Sequence, residues 1–254
     1  MTTQKIALVT GGGRGLGKDM ALNLARRGND IVITYNSNKA EADKVVAGIL
    51  ELNRKAVAIQ LDTGVIDTFD AFVSTLKSSL KSVFDSERID FLVNNAGFNR
   101  SVPSLEQTPV ELFDELMNVH FKGVFFLTQK LLPILSDNGG IVNISSGLTR
   151  FAFPGSGTYA SMKGAVETLT KYMAKELASR KIRANVVAPG AIATDFNGGH
   201  VRDTRELNDR IASVTALGRV GQAEDIGSVV AFLCSDEARW ITGQRIEVSG
   251  GMFL

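Results

Sequence analysis

Short β-branched and apolar runs alternate with stretches of helical periodicity along the whole chain, and no other feature narrows the fold as much. Residues 6–9, 31–34, 56–59, 89–93, 140–145, 183–187 and 245–248 read as buried strands. Between them, residues 39–53, 65–84, 157–180 and 224–233 carry helical spacing, as does the segment from Leu16 to the stop signal Arg26-Arg27-Gly28. Thr108-Pro109-Val110-Glu111 marks a further helix start, with threonine as the cap, proline at the first position and glutamate three after the cap. That helix is expected to run to about Leu135. Strands joined by helices make βαβ units, so the expected fold class is α/β, with a parallel sheet buried on both faces. No linker, repeat or low-complexity segment interrupts the sequence, and a single domain spanning residues 1–254 is expected.

Composition removes several functions. A net charge of +1 gives no reason to expect nucleic acid or an anionic membrane as partner. No window reaches the ~18 uninterrupted apolar residues of a membrane span. The single cysteine, Cys234, cannot form an internal disulfide and fits a reducing compartment. Residues 1–5 run straight into the first apolar stretch, too short and unflanked for a signal peptide, so a soluble, cytoplasmic protein is expected. His120 and His200 are far apart and lack supporting acids or cysteines, so no metal site is expected.

In a sheet of this kind, ligands bind at the carboxyl ends of the strands, where the strand order reverses. After the first strand comes Thr10-Gly11-Gly12-Gly13-Arg14-Gly15-Leu16-Gly17, with five glycines in seven residues. Glycines at a strand-to-helix junction let the main chain approach a ligand closely, and the helix N-terminus offers unpaired N–H groups to a phosphate. As an ordinary turn the same run would cost conformational entropy with no packing gain. Gly12 to Gly17 followed by Lys18 matches GxxxxGK of the P-loop, but Asp19 stands where a serine or threonine should bind magnesium. The strict GxGxxG is absent; the pattern that fits is TGxxxGxG.

The second strand ends in Tyr35-Asn36-Ser37, without the Asp or Glu that binds the ribose 2′-hydroxyl of NAD. Arg14 could pair with a 2′-phosphate through its guanidinium fork, which favours NADP(H) over NAD(H); as a plain solvated loop residue it would carry no such meaning. The third strand is followed by Asp62-Thr63 and the fourth by Asn94-Asn95-Ala96-Gly97. The fifth leads to Ser146, and the sixth to Pro189-Gly190 with Ile192 and Thr194 beyond. Each is polar or small and sits where the fold predicts a ligand edge.

Tyr159 and Lys163 lie one helical turn apart, thirteen residues after Ser146. A free tyrosine titrates near pH ~10, and a nearby cation favours the phenolate. The pair therefore reads as a tuned acid/base, or, judged on spacing alone, as a solvated surface pair.

Taken together these motifs resemble the short-chain dehydrogenase/reductase family over essentially the whole chain: TGxxxGxG at residues 10–17, Asp62, NNAG at 94–97, Asn118, Ser146, YxxxK at 159–163 and PGxxxT at 189–194. The resemblance implies a Rossmann-type, doubly wound, seven-stranded sheet and NAD(P)-dependent interconversion of a carbonyl and an alcohol. It also implies a homo-oligomer, most often a tetramer. Carried over, Tyr159 donates a proton to the carbonyl oxygen, Lys163 lowers the tyrosine pKa and binds the nicotinamide ribose, Ser146 holds the substrate oxygen, and Asn118 holds the water linking Lys163 to solvent. Gly11, Gly13, Arg14, Gly15, Leu16, Gly17, Tyr35, Asn36, Ser37, Asp62, Thr63, Asn95, Ala96, Gly97, Pro189, Gly190, Ile192 and Thr194 would line the cofactor along with Tyr159 and Lys163. Residues 195–213 would form a substrate lid.

Within the family the sequence looks most like 3-oxoacyl-(acyl-carrier-protein) reductases, around residues 185–191 and in Thr242-Gly243-Gln244 with Gly250-Gly251. Of the two basic residues with which those enzymes dock an acidic carrier, Arg180 matches one, but the other position holds Asp137. Phe98, Phe151, Phe153 and Phe196 suggest a partly apolar small-molecule carbonyl substrate, or core packing. The rival of another class is a non-catalytic dinucleotide-binding sensor, and the filled catalytic positions speak against it.

Overall fold

All seven expected strands form: β1 (Ile6–Val9), β2 (Asp30–Tyr35), β3 (Ala56–Gln60), β4 (Ile89–Asn94), β5 (Leu135–Ile144), β6 (Arg183–Pro189) and β7 (Arg245–Val248). They make one sheet in the order β3-β2-β1-β4-β5-β6-β7, with every neighbouring pair parallel. The structure is a computed structural model describing residues 4–254. The N-terminal reading that involves Met1, Thr2 and Thr3 lies outside these residues.

Side chains alternate across each strand, so one apolar run feeds two cores. Ala7 and Val9 of β1 join Ile31, Ile33 and Val93 on one face, covered by Met20 and Leu24 of α1 (Gly15–Arg26), Val45 and Ile49 of α2 (Lys39–Glu51), and Val230 of α9 (Glu224–Leu233). Ile6 and Leu8 point the other way, into Val32, Leu92 and Ile141. There Phe69 and Leu76 of α3 (Phe69–Ser79), Leu127 and Leu131 of α5 (Gly123–Leu131), and Met173 of α6 (Gly157–Glu176) cover them. Each such side chain contributes about 1.5–3 kcal/mol on burial, so continuous apolar strands stay inside while the glycine and asparagine runs emerge at the carboxyl edge. The strand order reverses between β1 and β4, which opens the crevice there.

One segment departs from the sequence reading. The helix expected over residues 108–135 is α4 (Val110–Met117), a wide π turn (Asn118–Lys122) and then α5, and β5 begins at Leu135. Thr108 does not cap it: Pro109 occupies that position, while the Thr108 hydroxyl turns back to the Ser104 carbonyl at 3.4 Å. A β-carbon on Gly123 would lie 2.2 Å from the Thr63 carbonyl oxygen, so a glycine there lets the helix close onto the loop after β3 just past the wide turn. The polar stretch after Asp195 coils into α7 (His200–Asp203) and α8 (Arg205–Ser213), with Arg202 paired to both Asp195 and Asp203. Among the described residues no helix is long and apolar enough to cross a membrane.

Candidate active site

The glycine turn after β1 is clamped from β4. The Thr10 hydroxyl accepts from the backbone N–H groups of Asn95 and Ala96 at 2.9 and 3.0 Å, and the Asn95 amide donates to the Thr10 carbonyl at 2.9 Å. The turn is tight enough that a β-carbon on Gly17 would stand 2.2 Å from the Gly11 carbonyl oxygen. Gly11 and Gly15 take positive φ, at 63° and 52°, which side-chain-bearing residues avoid. Arg14 leads into α1 without a side-chain cap, and no acid sits in the first helical turn. That end of α1 therefore presents N–H groups and a positive dipole, which is the chemistry of an anion site. Asp19, which spoils the P-loop pattern, is buried and accepts from Asn23 at 3.0 Å. Its carboxylate lies where a β-carbon on Gly227 of α9 would fall, so it packs on that helix.

At the rim, Arg14 is exposed and makes no ion pair among the described residues. Tyr35, Asn36 and Ser37 close β2 with no carboxylate, and Glu41 nearby is engaged by Lys44 at 2.6 Å. The Asp62 carboxylate accepts from the Gly64 N–H at 2.8 Å, and Thr63 is buried beside it. Gly190 hydrogen-bonds the Val248 carbonyl at 3.0 Å, which fixes the chain beyond Pro189, and Ile192 bridges to Gly221. The Thr194 side chain reaches the glycine turn, 3.7 Å from where a Gly15 β-carbon would be. Elements distant in sequence thus meet around one crevice.

Tyr159 and Lys163 are not a solvated pair: they are 7% and 4% exposed. The Lys163 ammonium donates to the Ile144 carbonyl at 2.8 Å, at the end of β5, and lies 5.6 Å from the centre of the Tyr159 ring. Burial pulls the lysine from its ordinary 10.5 down to about 7. Burial also pushes the Tyr159 hydroxyl above its ordinary value, opposed by hydrogen bonding with Ser146. Burial of the tyrosine, and not the neighbouring lysine, therefore sets the direction here, opposite to the lowering expected from the pair. Ser146 begins the turn after β5, its hydroxyl accepting from the Leu148 N–H at 3.2 Å. Phe98 and Phe196 flank the site, and Phe196 lies 6.1 Å from Tyr159, ring centre to ring centre. Phe151 instead stacks on Phe253, and Phe153 lies against Arg210.

The structure brings Ser146, Tyr159 and Lys163 together. Asn118 sits on the π turn, half-buried, and its side chain makes no hydrogen bond to any of the three among the described residues. The side chain of that turn which does reach Tyr159 is His120, edge-on with centroids 5.0 Å apart. Two supporting networks escaped the sequence reading. Asn94 bonds Asn143 at 2.8 Å and Thr128 at 3.1 Å, and Asn143 bonds Thr170 at 2.9 Å, tying β4 and β5 to their helices. Glu167 accepts from Ser145, Thr149 and Arg245, bracing the loop that carries Ser146. Neither has a local motif, because each partner comes from a different element.

A family model described as enoyl-(acyl carrier protein) reductase matches residues 11–253. A 3-oxoacyl-[acyl-carrier-protein] reductase, FabG, of Staphylococcus aureus is 38% identical, with 100% of each chain covered. The chain belongs to the short-chain dehydrogenase/reductase family. Among solved members of the fold, the promiscuous reductase LugOII, which catalyses keto-reduction at C1 in lugdunomycin biosynthesis, is 40% identical. It superimposes with a TM-score of 0.94 over 99% of both chains. The angucycline C-6 ketoreductase LanV, solved with bound NADP, is 36% identical with a TM-score of 0.92, covering 98% of this chain and 95% of its own. As a short-chain dehydrogenase/reductase the protein is an oxidoreductase of carbonyl and alcohol groups, built to use a dinucleotide.

Proposed function

We propose that the protein is an NADP(H)-dependent reductase that interconverts a small-molecule carbonyl and a secondary alcohol. The observation that carries this is the burial of Tyr159 and Lys163, with Ser146 hydrogen-bonded to the tyrosine, in one crevice at the carboxyl edge of the sheet, the edge at which the uncapped start of α1 lies. The residues fit the dinucleotide: the glycine turn leaves no room for β-carbons at Gly12 and Gly17, and the α1 N-terminus suits a pyrophosphate. Gly11, Gly13, Gly15, Leu16 and Gly17 would hold the phosphates, Asp62 and Thr63 the adenine, and Asn95, Ala96 and Gly97 the middle of the cofactor. Pro189, Gly190, Ile192 and Thr194 would hold the nicotinamide end. When bound, the nicotinamide supplies the hydride. Tyr159 gives its phenolic proton to the substrate oxygen, Ser146 donates a hydrogen bond to that oxygen, and Lys163 steadies the phenolate left behind.

The choice of NADP(H) rests on Arg14, which no acid engages, together with the missing carboxylate at residues 35–37. LanV, the ketoreductase neighbour, is described with NADP. A carrier-protein reductase proper is the weaker reading. Arg180 donates to Asp137 at 2.7 Å and to the Leu132 carbonyl at 2.9 Å, so the one matching basic residue is already committed. The exposed Leu105, Val110 and Phe113 beside the start of α6 support a homo-oligomer. Phe196, at the start of residues 195–213, supports their reading as a lid on an apolar substrate.

The test is a panel of aldehydes, ketones and acetoacetyl thioesters with NADPH or NADH, followed by loss of reduced-cofactor absorbance. Turnover with NADPH preferred is expected, and Tyr159→Phe should abolish it while cofactor still binds. Retained turnover in that variant would sink the tyrosine mechanism, and a chain that binds NADPH but reduces nothing would be a sensor.

A further inference from the structure

The histidine of the π turn is built into the site more closely than its sequence context indicates. His120 is 1% exposed, wedged between Phe98 and the edge-on ring of Tyr159. Its Nε2 lies 2.6 Å from the Phe98 carbonyl oxygen. The Phe98 N–H also approaches Nε2, at the longer 3.4 Å, but the carbonyl at 2.6 Å only accepts and decides the tautomer: Nε2 carries the proton, and burial together with the nearby Lys163 holds the ring neutral by pulling its pKa well below the ordinary value. Nδ1 is then a lone-pair acceptor. It is fully buried and has no hydrogen-bond partner among the described residues. An acceptor left so pays its full desolvation cost unless something donates to it.

The surroundings limit what that donor can be. A β-carbon at Gly97 would fall 2.5 Å from Cε1 and 3.0 Å from Nδ1, so the loop after β4 is pared down to backbone on this side of the ring. That loop brings only Gly97 and the Phe98 ring and main chain, none of them charged. From α6 the titratable groups facing the ring are Tyr159 and Lys163, and Lys163 is the charge that acts on it. On its own turn Lys122 points to solvent.

We infer that His120 is a positioning residue for proton transfer. Its Nδ1 accepts a hydrogen bond from a solvent molecule that in turn accepts from the Lys163 ammonium. The inference rests on the reductase reading above. After Tyr159 has given its proton to the substrate oxygen, the phenolate takes one back by way of Lys163, which is replenished from solvent. His120 neither gains nor loses a proton in this cycle; it fixes the donor–acceptor chain. The role that the family resemblance gives to Asn118 falls, on this geometry, to a side chain two residues further on.

Two measurements test it. First, nitrogen-labelled histidine in the cofactor-free chain is read by NMR. The protein has two histidines, so a His200→Gln variant assigns the signals. Expected is a His120 fixed as the Nε2–H form with no titration near its ordinary pKa, and an Nδ1 resonance that moves in Lys163→Met. An Nδ1–H form, or a resonance blind to that change, overturns the proposal whatever the enzyme reduces. Second, with any carbonyl the wild type turns over, His120→Leu should lower kcat about tenfold or more and move the basic limb of its pH profile to lower pH. His120→Asn, which restores an acceptor, should recover kcat to within about threefold. Wild-type kcat and profile in His120→Leu overturn the inference. So does equal loss in both variants with an unmoved profile, which would be packing alone. Should His120→Leu not bind NADPH, His120→Asn decides: a moved basic limb or recovered kcat supports the relay, and loss with an unmoved limb overturns it.

Discussion

Replacing Lys163 by methionine should change how stability depends on pH, and its size follows from burial. Methionine keeps the length and apolar stem of the side chain but not the ammonium, which in the folded chain sits 4% exposed with one carbonyl partner. Burial lowers the lysine from 10.5 to about 7. Between those values the unfolded chain binds more protons than the folded one, so the wild type gains stability as pH rises through this window. The cost of the buried amine is full below about pH 7, where it approaches about 5 kcal/mol, falls to about 2 kcal/mol near pH 9, and is gone above the unfolded value. Losing the hydrogen bond to the Ile144 carbonyl costs the variant about 1 kcal/mol at any pH. Lys163→Met should therefore be more stable than the wild type by a few kcal/mol near neutrality, and the gap should close toward pH ~10. Urea unfolding of both cofactor-free chains at intervals from about pH 6 to 10 reads this directly, because groups common to both cancel in the difference. A difference that stays constant with pH would refute the argument that burial depresses Lys163.

The other expectations are narrower. Arg14→Ala should weaken NADPH by about tenfold to hundredfold, the worth of a charged hydrogen bond, and leave NADH nearly unchanged; equal losses in the two KM values would remove Arg14 from cofactor selection. Gly17→Ala drives a methyl into the Gly11 carbonyl and should cost about 1–3 kcal/mol. Gly13→Ala meets only ordinary contacts at 3.6 Å, and thermal unfolding should separate the two. Cys234 is 2% exposed and its thiol is pushed up to about 12 by burial, so alkylation should proceed only as fast as the chain opens; rapid labelling of the native protein would contradict its packing.

Much of this architecture is local and so could be read from residues alone. The seven strands announce themselves through β-branched apolar runs, because a strand buried on both faces needs apolar side chains at every position. The glycine turn announces itself because few other sequences could make so close a bend. The Tyr159–Lys163 spacing sets which helix face the two share, whatever lies around it. Tertiary structure decided the electrostatics. Sequence pairs a cation with a phenol and predicts a lowered tyrosine, but burial is a property of everything packed around them, and here burial sets the direction for both groups. The same holds for the helix after Thr108, whose periodicity runs on unbroken while the chain takes a wide turn at Asn118–Lys122, next to the close contact of Gly123 with the loop after β3. That turn aims His120, not Asn118, at Tyr159. In a regular helix two residues apart means nearly opposite faces, so which one meets the site depends on how the chain is wound there. Side-chain identity fixed the available chemistry, and packing chose which groups would perform it.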